Sequence, residues 1–212
     1  MFRNYLKVAL RNSWKNKLIT FINVSSLALG IAACLLIYLF IQDERSFDAM
    51  HTDKDNIYRM CEVQSFTGTN VQKVGLSMPG MGPNISKDYP EVMNFTRYMG
   101  REKALLERGD QRFIIDRIGI VDSTFLDMFD YKLLVGNRAT VLDEPSSFVI
   151  TESVANRFFG NADPIGETLR WGEDDVKITG VMEDTPENSH LQFDVLSSMT
   201  SVTQDNPNFN NE

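Results

Sequence analysis

From Leu18 to Ile41 the chain runs for 24 residues without a charge, which as a helix would extend roughly 36 Å, enough to cross a bilayer with some tilt. Ahead of this run, Phe2, Tyr5, Leu6, Ala9, Leu10 and Trp14 recur at helical spacing beside Arg3, Lys7, Arg11 and Lys15, the pattern of an interfacial helix with one face in lipid and one toward headgroups. Val8 blurs the polar side, so a basic flank without helical order stands as the alternative. Past the run the pattern changes to short alternating stretches. "NIYRMCEVQSF" reads as a strand, "MPGMGP" as a turn before a short helix over 84–88, and "VMNFTRYMG", "KALLERG" and "QRFIIDRIGIV" as strands, the last two joined at Gly109-Asp110. "DSTFLDMF" predicts a short helix capped by Asp122 or Ser123, and "SSFVIT" a strand entering a helix "ESVANRFF" with Thr151 as cap and Gly160 as stop. "DPIGETLRW" and "VKITGVMED" predict a further strand pair across "GEDD". Strands and short helices alternate irregularly, so the expected class is α+β: one amino-terminal transmembrane helix, then a mixed core domain.

Charge orients this plan. Residues 1–17 hold five basic groups and no acid, whereas the other 16 basic residues stand against all 29 acids, a balance of −13 within an overall −8. Basic residues crowd one flank of the apolar run, and Asp43, Glu44 and Asp48 follow the other. The positive-inside rule therefore puts the amino terminus in the cytoplasm and the rest outside. So acidic an outer part should repel nucleic acid. A cleaved secretory signal is the competing reading, but such apolar cores span about 7 to 15 residues. Ile31-Ala32-Ala33-Cys34 resembles a lipoprotein processing box, yet Leu35 to Ile41 still follow it. Cys34 is expected in the membrane and Cys61 outside, so the two should not pair.

Within the apolar run, Ser26, Gly30 and Cys34 are four apart with Ala33 alongside, a face small enough for another helix to approach closely. Asn23 and Ser25 add polar groups that favour a protein neighbour over lipid. The expected divisions are a basic elbow helix over 1–17, the membrane helix over 18–41, and a charged stalk over 42–55. A core domain over 56–198, partial in extent, and a polar tail or truncated loop over 199–212 complete them.

Candidate chemistry is sparse. No G-x-x-x-x-G-K-[ST] phosphate loop occurs, so ATP would have to be bound by a partner. Gly80-Met81-Gly82 lacks the third glycine of a dinucleotide fingerprint. Glu44, Asp48 and His51 fall at i, i+4 and i+7 and would share a helix face, loosely like a metal site, but a solvated stalk is the commoner use of such residues. His190 lies between Ser189 and Asp194, although adjacency in sequence does not assemble a triad. The expectation is no catalytic, cofactor or metal residue, and no enzyme.

Several stretches, taken in order, resemble a known family. "LKVALRNSWKNKLITFINVSSLALGIAACLLIYLFI" with "DERSFDAMHTDKDNIYRM", then "YPEVMNFTR", "DSTFLDMFDYKLLVGN", "SSFVITESVANRFFGNADPIGETL" and "ITGVMEDTPENSHLQFDVL" are similar to MacB-type and FtsX-like permease subunits of ABC transporters and to the MacB-like periplasmic core domain. The resemblance implies a bacterial inner-membrane subunit with its core domain periplasmic. It implies a cytoplasmic ABC ATPase as partner, further permease helices or a second permease copy, the lipid bilayer, and no nucleic acid. The implied work is mechanotransmission in export, lipoprotein handling or efflux. Glu44, Phe47, Asp48, His51, Tyr58 and Arg59 would then lie in the stalk and first strand that carry the motion, with Phe47, Met50 and Ile57 available to stiffen it. A single-pass anchored binding or sensor domain is the alternative.

Overall fold

The computed structural model describes residues 2–68, 70–206 and 208–210. The chain divides into two compact units, Met1–Phe47 and Asp48–Glu212. The division falls inside the stretch read as a stalk, so residues 48–55 belong to the core unit.

The first unit holds α1 (Phe2–Lys15) and α2 (Lys17–Ser46). α1 is helical within the span read as an elbow helix over 1–17; the side chains of Phe2 and Leu6 lie outside the described residues. Tyr5, Leu10 and Trp14 of its apolar stripe are exposed. The helices break at Asn16, whose ψ of 56° leaves the helical region, and the Thr20 hydroxyl donates back to the Ser13 carbonyl. α2 is 30 residues long with no buried residue, and it is long and apolar enough to cross a membrane. Exposed large side chains such as Leu29, Leu36 and Phe40 along it require lipid or other helices as neighbours, since water would not tolerate that area.

The core unit opens with irregular chain and a two-stranded ribbon, β1 (Glu62–Gln64) and β2 (Gln72–Val74). The strand expected over 56–66 is thus only three residues long, and Tyr58 and Arg59 lie before it. Both are exposed, and the Arg59 guanidinium donates to the Gly75 carbonyl. α3 (Met81–Asp88) follows, a turn longer than expected.

The main sheet is built from β3 (Tyr98–Arg108), β4 (Gln111–Val121), β5 (Leu133–Val135), β6 (Ser147–Thr151), β7 (Thr168–Trp171), β8 (Asp174–Met182) and β9 (Val195–Ser198). Its order is β5-β8-β6-β9-β4-β3-β7, and β7 bonds β8 as well as β3. Six strands therefore close into a ring, with β5 outside it. The expected strands over 92–100 and 103–109 are one strand, β3, paired with β4 along its length up to Arg108↔Gln111. Between those two residues Gly109 has φ +57°, as a two-residue hairpin turn requires.

β6 sits between β8 and β9 and is buried at all five positions, which explains its near-continuous apolar sequence. Alternation still sorts its side chains. Phe148 and Ile150 join Leu106, Ile115, Ile118, Leu169, Ile178 and Val195 under α5 (Glu152–Phe159), which contributes Val154, Ala155, Phe158 and Phe159. Val149 joins the opposite layer, formed by Val121, Phe125, Leu126, Tyr131, Phe193 and Leu196. Thr151 takes the N-cap position of α5 without a side-chain capping bond; the Asp184 carboxylate accepts from the Ser153 amide instead, at 3.1 Å.

Two other expectations change. α4 (Phe125–Met128) is preceded by Thr124 as N-cap, because the Asp122 carboxylate is taken by Arg97 in a two-pronged pair at 2.6 and 2.9 Å. Residues 199–205, expected as polar tail, form α6 (Met199–Asp205), started by Ser198, whose hydroxyl accepts from the Thr200 amide. Met199 is buried beneath it. Residues 207, 211 and 212 of that expected tail lie outside the described residues.

Candidate functional site

The core unit's first five residues, 48–52, are tied to two distant loops. α2 ends at Ser46, Phe47 is extended, and Asp48 has φ +52°, a left-handed conformation that aspartate tolerates better than most residues. This corrects the helix-face reading. With the helix ended, Glu44, Asp48 and His51 share no face, and among the described residues no group of three His, Cys, Asp or Glu is placed to hold a metal.

The turn at Asp48 aims its carboxylate at residues 188–191. Asp48 Oδ1 accepts from the Ser189 hydroxyl and from the His190 amide, both at 3.0 Å, and Oδ2 lies 2.6 Å from His190 Nδ1. The Asp48 amide donates to the Asn188 carbonyl at 2.9 Å. A carboxylate only accepts, so the Ser189 hydroxyl spends its proton on Asp48. Ser189 Oγ then accepts from the Tyr131 hydroxyl at 2.9 Å, whose single proton is shared with the Leu191 carbonyl at 3.0 Å. Partial burial works to raise the Asp48 carboxyl. The His190 amide and ring and the Ser189 hydroxyl outweigh it, and the group sits below its ordinary value. Burial pushes the Tyr131 phenol up to about 12, so it stays a neutral donor.

The second loop is 129–131. His51 is 4% exposed, far from the solvated residue expected in a stalk. Its ring meets Phe129 and Tyr131 edge-on at 5.1 and 5.4 Å, and its Nδ1 accepts from the Asp130 amide at 3.0 Å. Asp130 Oδ2 in turn accepts from the Thr52 amide at 2.6 Å; that backbone bond holds the Asp130 carboxyl below its usual range. Arg138 fixes the loop from behind, donating to the carbonyls of Leu126, Phe129 and Tyr131. Met50 packs against the Phe125 layer. A cleft of about 170 Å³ lined by Asp48, His51, Lys54, Ile57, Phe129 and Leu191 opens beside the anchorage.

Of the residues singled out in sequence, Asp48 and His51 come together here. Tyr58 and Arg59 do not, and Glu44 and Phe47 belong to the other unit. Ser26, Gly30, Ala33 and Cys34 lie on α2, where a Cβ added at Gly30 would meet nothing within 4 Å. Cys34 and Cys61 are both free thiols. Ser189, His190 and Asp194 do not form a relay, because His190 faces Asp48 while Asp194 pairs with Arg117 at 2.9 Å. Sequence reasoning missed Asp130, Tyr131, Ser189 and His190 as partners of residues 48–52. The available signal was that both loops lie in "DSTFLDMFDYKLLVGN" and "ITGVMEDTPENSHLQFDVL", stretches that carry the family resemblance.

Comparison with known proteins gives a consistent result. Residues 20–210 match the family model of the MacB-like periplasmic core domain. A solved domain of a protein described as a permease from Porphyromonas gingivalis is 28% identical at a TM-score of 0.57, covering 66% of this chain and 60% of its own. The periplasmic region of MacB from Actinobacillus actinomycetemcomitans is 19% identical (TM-score 0.42; 53% and 50% covered). The extracellular domain of the noncanonic ABC-type transporter YknZ from Gram-positive bacteria is 13% identical (TM-score 0.42; 51% and 56% covered). The chain thus spans half to three fifths of the solved chains it resembles. No curated protein matches it by sequence.

Proposed function

The chain belongs to the MacB-like periplasmic core domain family, and from that premise we propose that it is the amino-terminal part of an ABC transporter permease subunit. In this reading α1 and α2 sit in the inner membrane with the amino terminus cytoplasmic, and the core unit works in the periplasm. ATP hydrolysis by a separate cytoplasmic ATPase moves the membrane helices, and the core unit follows. The observation that carries the proposal is that one family match spans both most of the apolar helix and the whole described core. A helix followed after one residue by a segment hydrogen-bonded into the core unit is suited to passing on force.

The anchorage at residues 48–52 is the coupling point in this scheme. Only Phe47 separates the last helical residue, Ser46, from Asp48, so a pull on α2 reaches Asp48 before any slack is taken up. Asp48 and His51 distribute it to the loops after α4 and before β9, hence to the sheet. Glu44 and Phe47 deliver the motion, whereas Tyr58 and Arg59 lie downstream of the anchor and receive it.

Capturing the full-length protein from its native membrane in mild detergent tests the proposal. The expected co-purifying protein carries a Walker phosphate loop and hydrolyses ATP. Recovery of the chain with no such protein would favour a single-pass binding or sensor domain instead. The small-residue face gives a second test. Because Gly30 has open space around it in this chain, Gly30→Leu should leave folding and membrane insertion intact but weaken assembly with further helices. Unchanged crosslinking of α2 in the variant would show that the face is not used.

A further inference from the structure

His51 is the one buried histidine among the described residues, and nothing in the coupling scheme requires a titrating side chain at that position. A phenylalanine could fill the space against Phe129 and Tyr131. The imidazole is instead committed to one protonation state. A backbone N–H can only donate, so the 3.0 Å contact from the Asp130 amide requires Nδ1 to be a bare lone pair and places the ring proton on Nε2.

We infer that His51 makes the anchorage of residues 48–52 acid-labile: a proton taken up at Nδ1 sets two donors against each other, and the segment separates from the 129–131 loop. The groups facing the ring give the direction. Asp48 from its own segment and Asp130 from the loop both attract the proton; Lys54 lies on the cleft rim. Each carboxylate is already engaged, Asp48 with Ser189 and His190, and Asp130 with the Thr52 amide. Arg138 stands behind Asp130 and draws on its charge. Burial keeps the Tyr131 phenol neutral, and His190 pairs with the Asp48 carboxylate. Burial outweighs both carboxylates, so the His51 pKa lies below its ordinary 6.5.

Between the lowered value and 6.5 the open form binds a proton that the closed form does not, so closure is fully favoured above 6.5 and is lost as pH falls below it. A single proton limits the effect to about tenfold in the opening equilibrium per pH unit. The role of this opening in transport rests on the proposed function; the opening itself does not.

The test uses the full chain in lipid nanodiscs without any ATPase. Amide exchange at Asp130 and Thr52, corrected for the intrinsic pH dependence of exchange, is compared at about pH 7.5 and about pH 5.5. The expected result is a loss of protection at the lower pH of up to about tenfold, in step with the appearance of an Nδ1 proton in the ¹⁵N spectrum of His51. His51→Gln, whose Oε1 can accept from the Asp130 amide without titrating, should remain protected at both pH values. Equal wild-type protection at both would overturn the inference, as would a His51→Gln protein with the wild-type pH response. If that variant does not fold, protection that fails to track the His51 ¹⁵N titration also overturns it. Failure to capture an ATPase would remove the transport reading and leave this result standing.

Discussion

Asp48→Ala is expected to free residues 48–52 from the 188–191 loop while the sheet stays folded. The substitution removes the acceptor for the Ser189 hydroxyl, the His190 amide and the His190 ring together, and hydrogen bonds to a charged acceptor contribute about 1.5–3 kcal/mol each where they are well shielded. The Asp48 side chain is 35% exposed, so water replaces part of what is lost and about 2–3 kcal/mol in all is the reasonable scale. Alanine adds about 1 kcal/mol of strain at the left-handed backbone. Chemical denaturation should report this loss, and exchange at the Ser189 and His190 amides should rise more than exchange in β4 or β6. Asp48→Asn keeps the backbone preference and one acceptor oxygen, and should lose about half as much. A stability equal to wild type in Asp48→Ala would mean that the contacts at 188–191 carry no load.

Phe125→Ala should be more damaging to the domain as a whole. Phe125 is fully buried and touches four aromatic side chains, with ring centroids 4.9 Å from Phe129, 5.8 Å from Tyr131, 5.8 Å from Phe193 and 6.3 Å from Tyr98. Truncation leaves a cavity among these four rings, at a cost of about 3–5 kcal/mol. Two of those four neighbours, Phe129 and Tyr131, are the rings that hold His51. The variant should therefore lose protection at the Asp130 amide beyond the general drop in stability, while Val154→Ala, on α5 in the opposite layer, should destabilise the domain without that selective loss.

How much of this could be read in the sequence depended on whether the cause was local. α2 was legible because an uncharged run of that length has few soluble uses, and β6 with α5 because an apolar strand meets a cap position and a glycine stop at the right spacing. The β3–β4 hairpin was legible at Gly109. The capping of α4 was not, because Asp122 is drawn away by Arg97, 25 residues earlier in the chain. Nor was the closure of the ring: β7 bonds two partners, and nothing in four residues announces a second one. The site shows the same division. Asp48 and His51 stood out as ionisable residues after the apolar run, but their partners lie 79 residues away at Asp130 and 142 away at His190. The charge run suggested a solvated stalk over 42–55; residues 48–52 of it are instead bonded to two loops of the core unit, starting from the left-handed Asp48.

The central claim is that ATP-driven movement in the membrane reaches the core unit through Asp48. It is tested most directly by a distance in the assembled complex. With Cys34 and Cys61 replaced by serine, spin labels at Leu10→Cys in α1 and Glu173→Cys in the β7–β8 turn report that distance with and without ATP. The account predicts a shift on ATP binding in the otherwise native chain and its loss in Asp48→Ala, with ATP hydrolysis by the partner retained. A chain whose distance does not respond to ATP, or an Asp48→Ala chain that responds as the native one does, would contradict it.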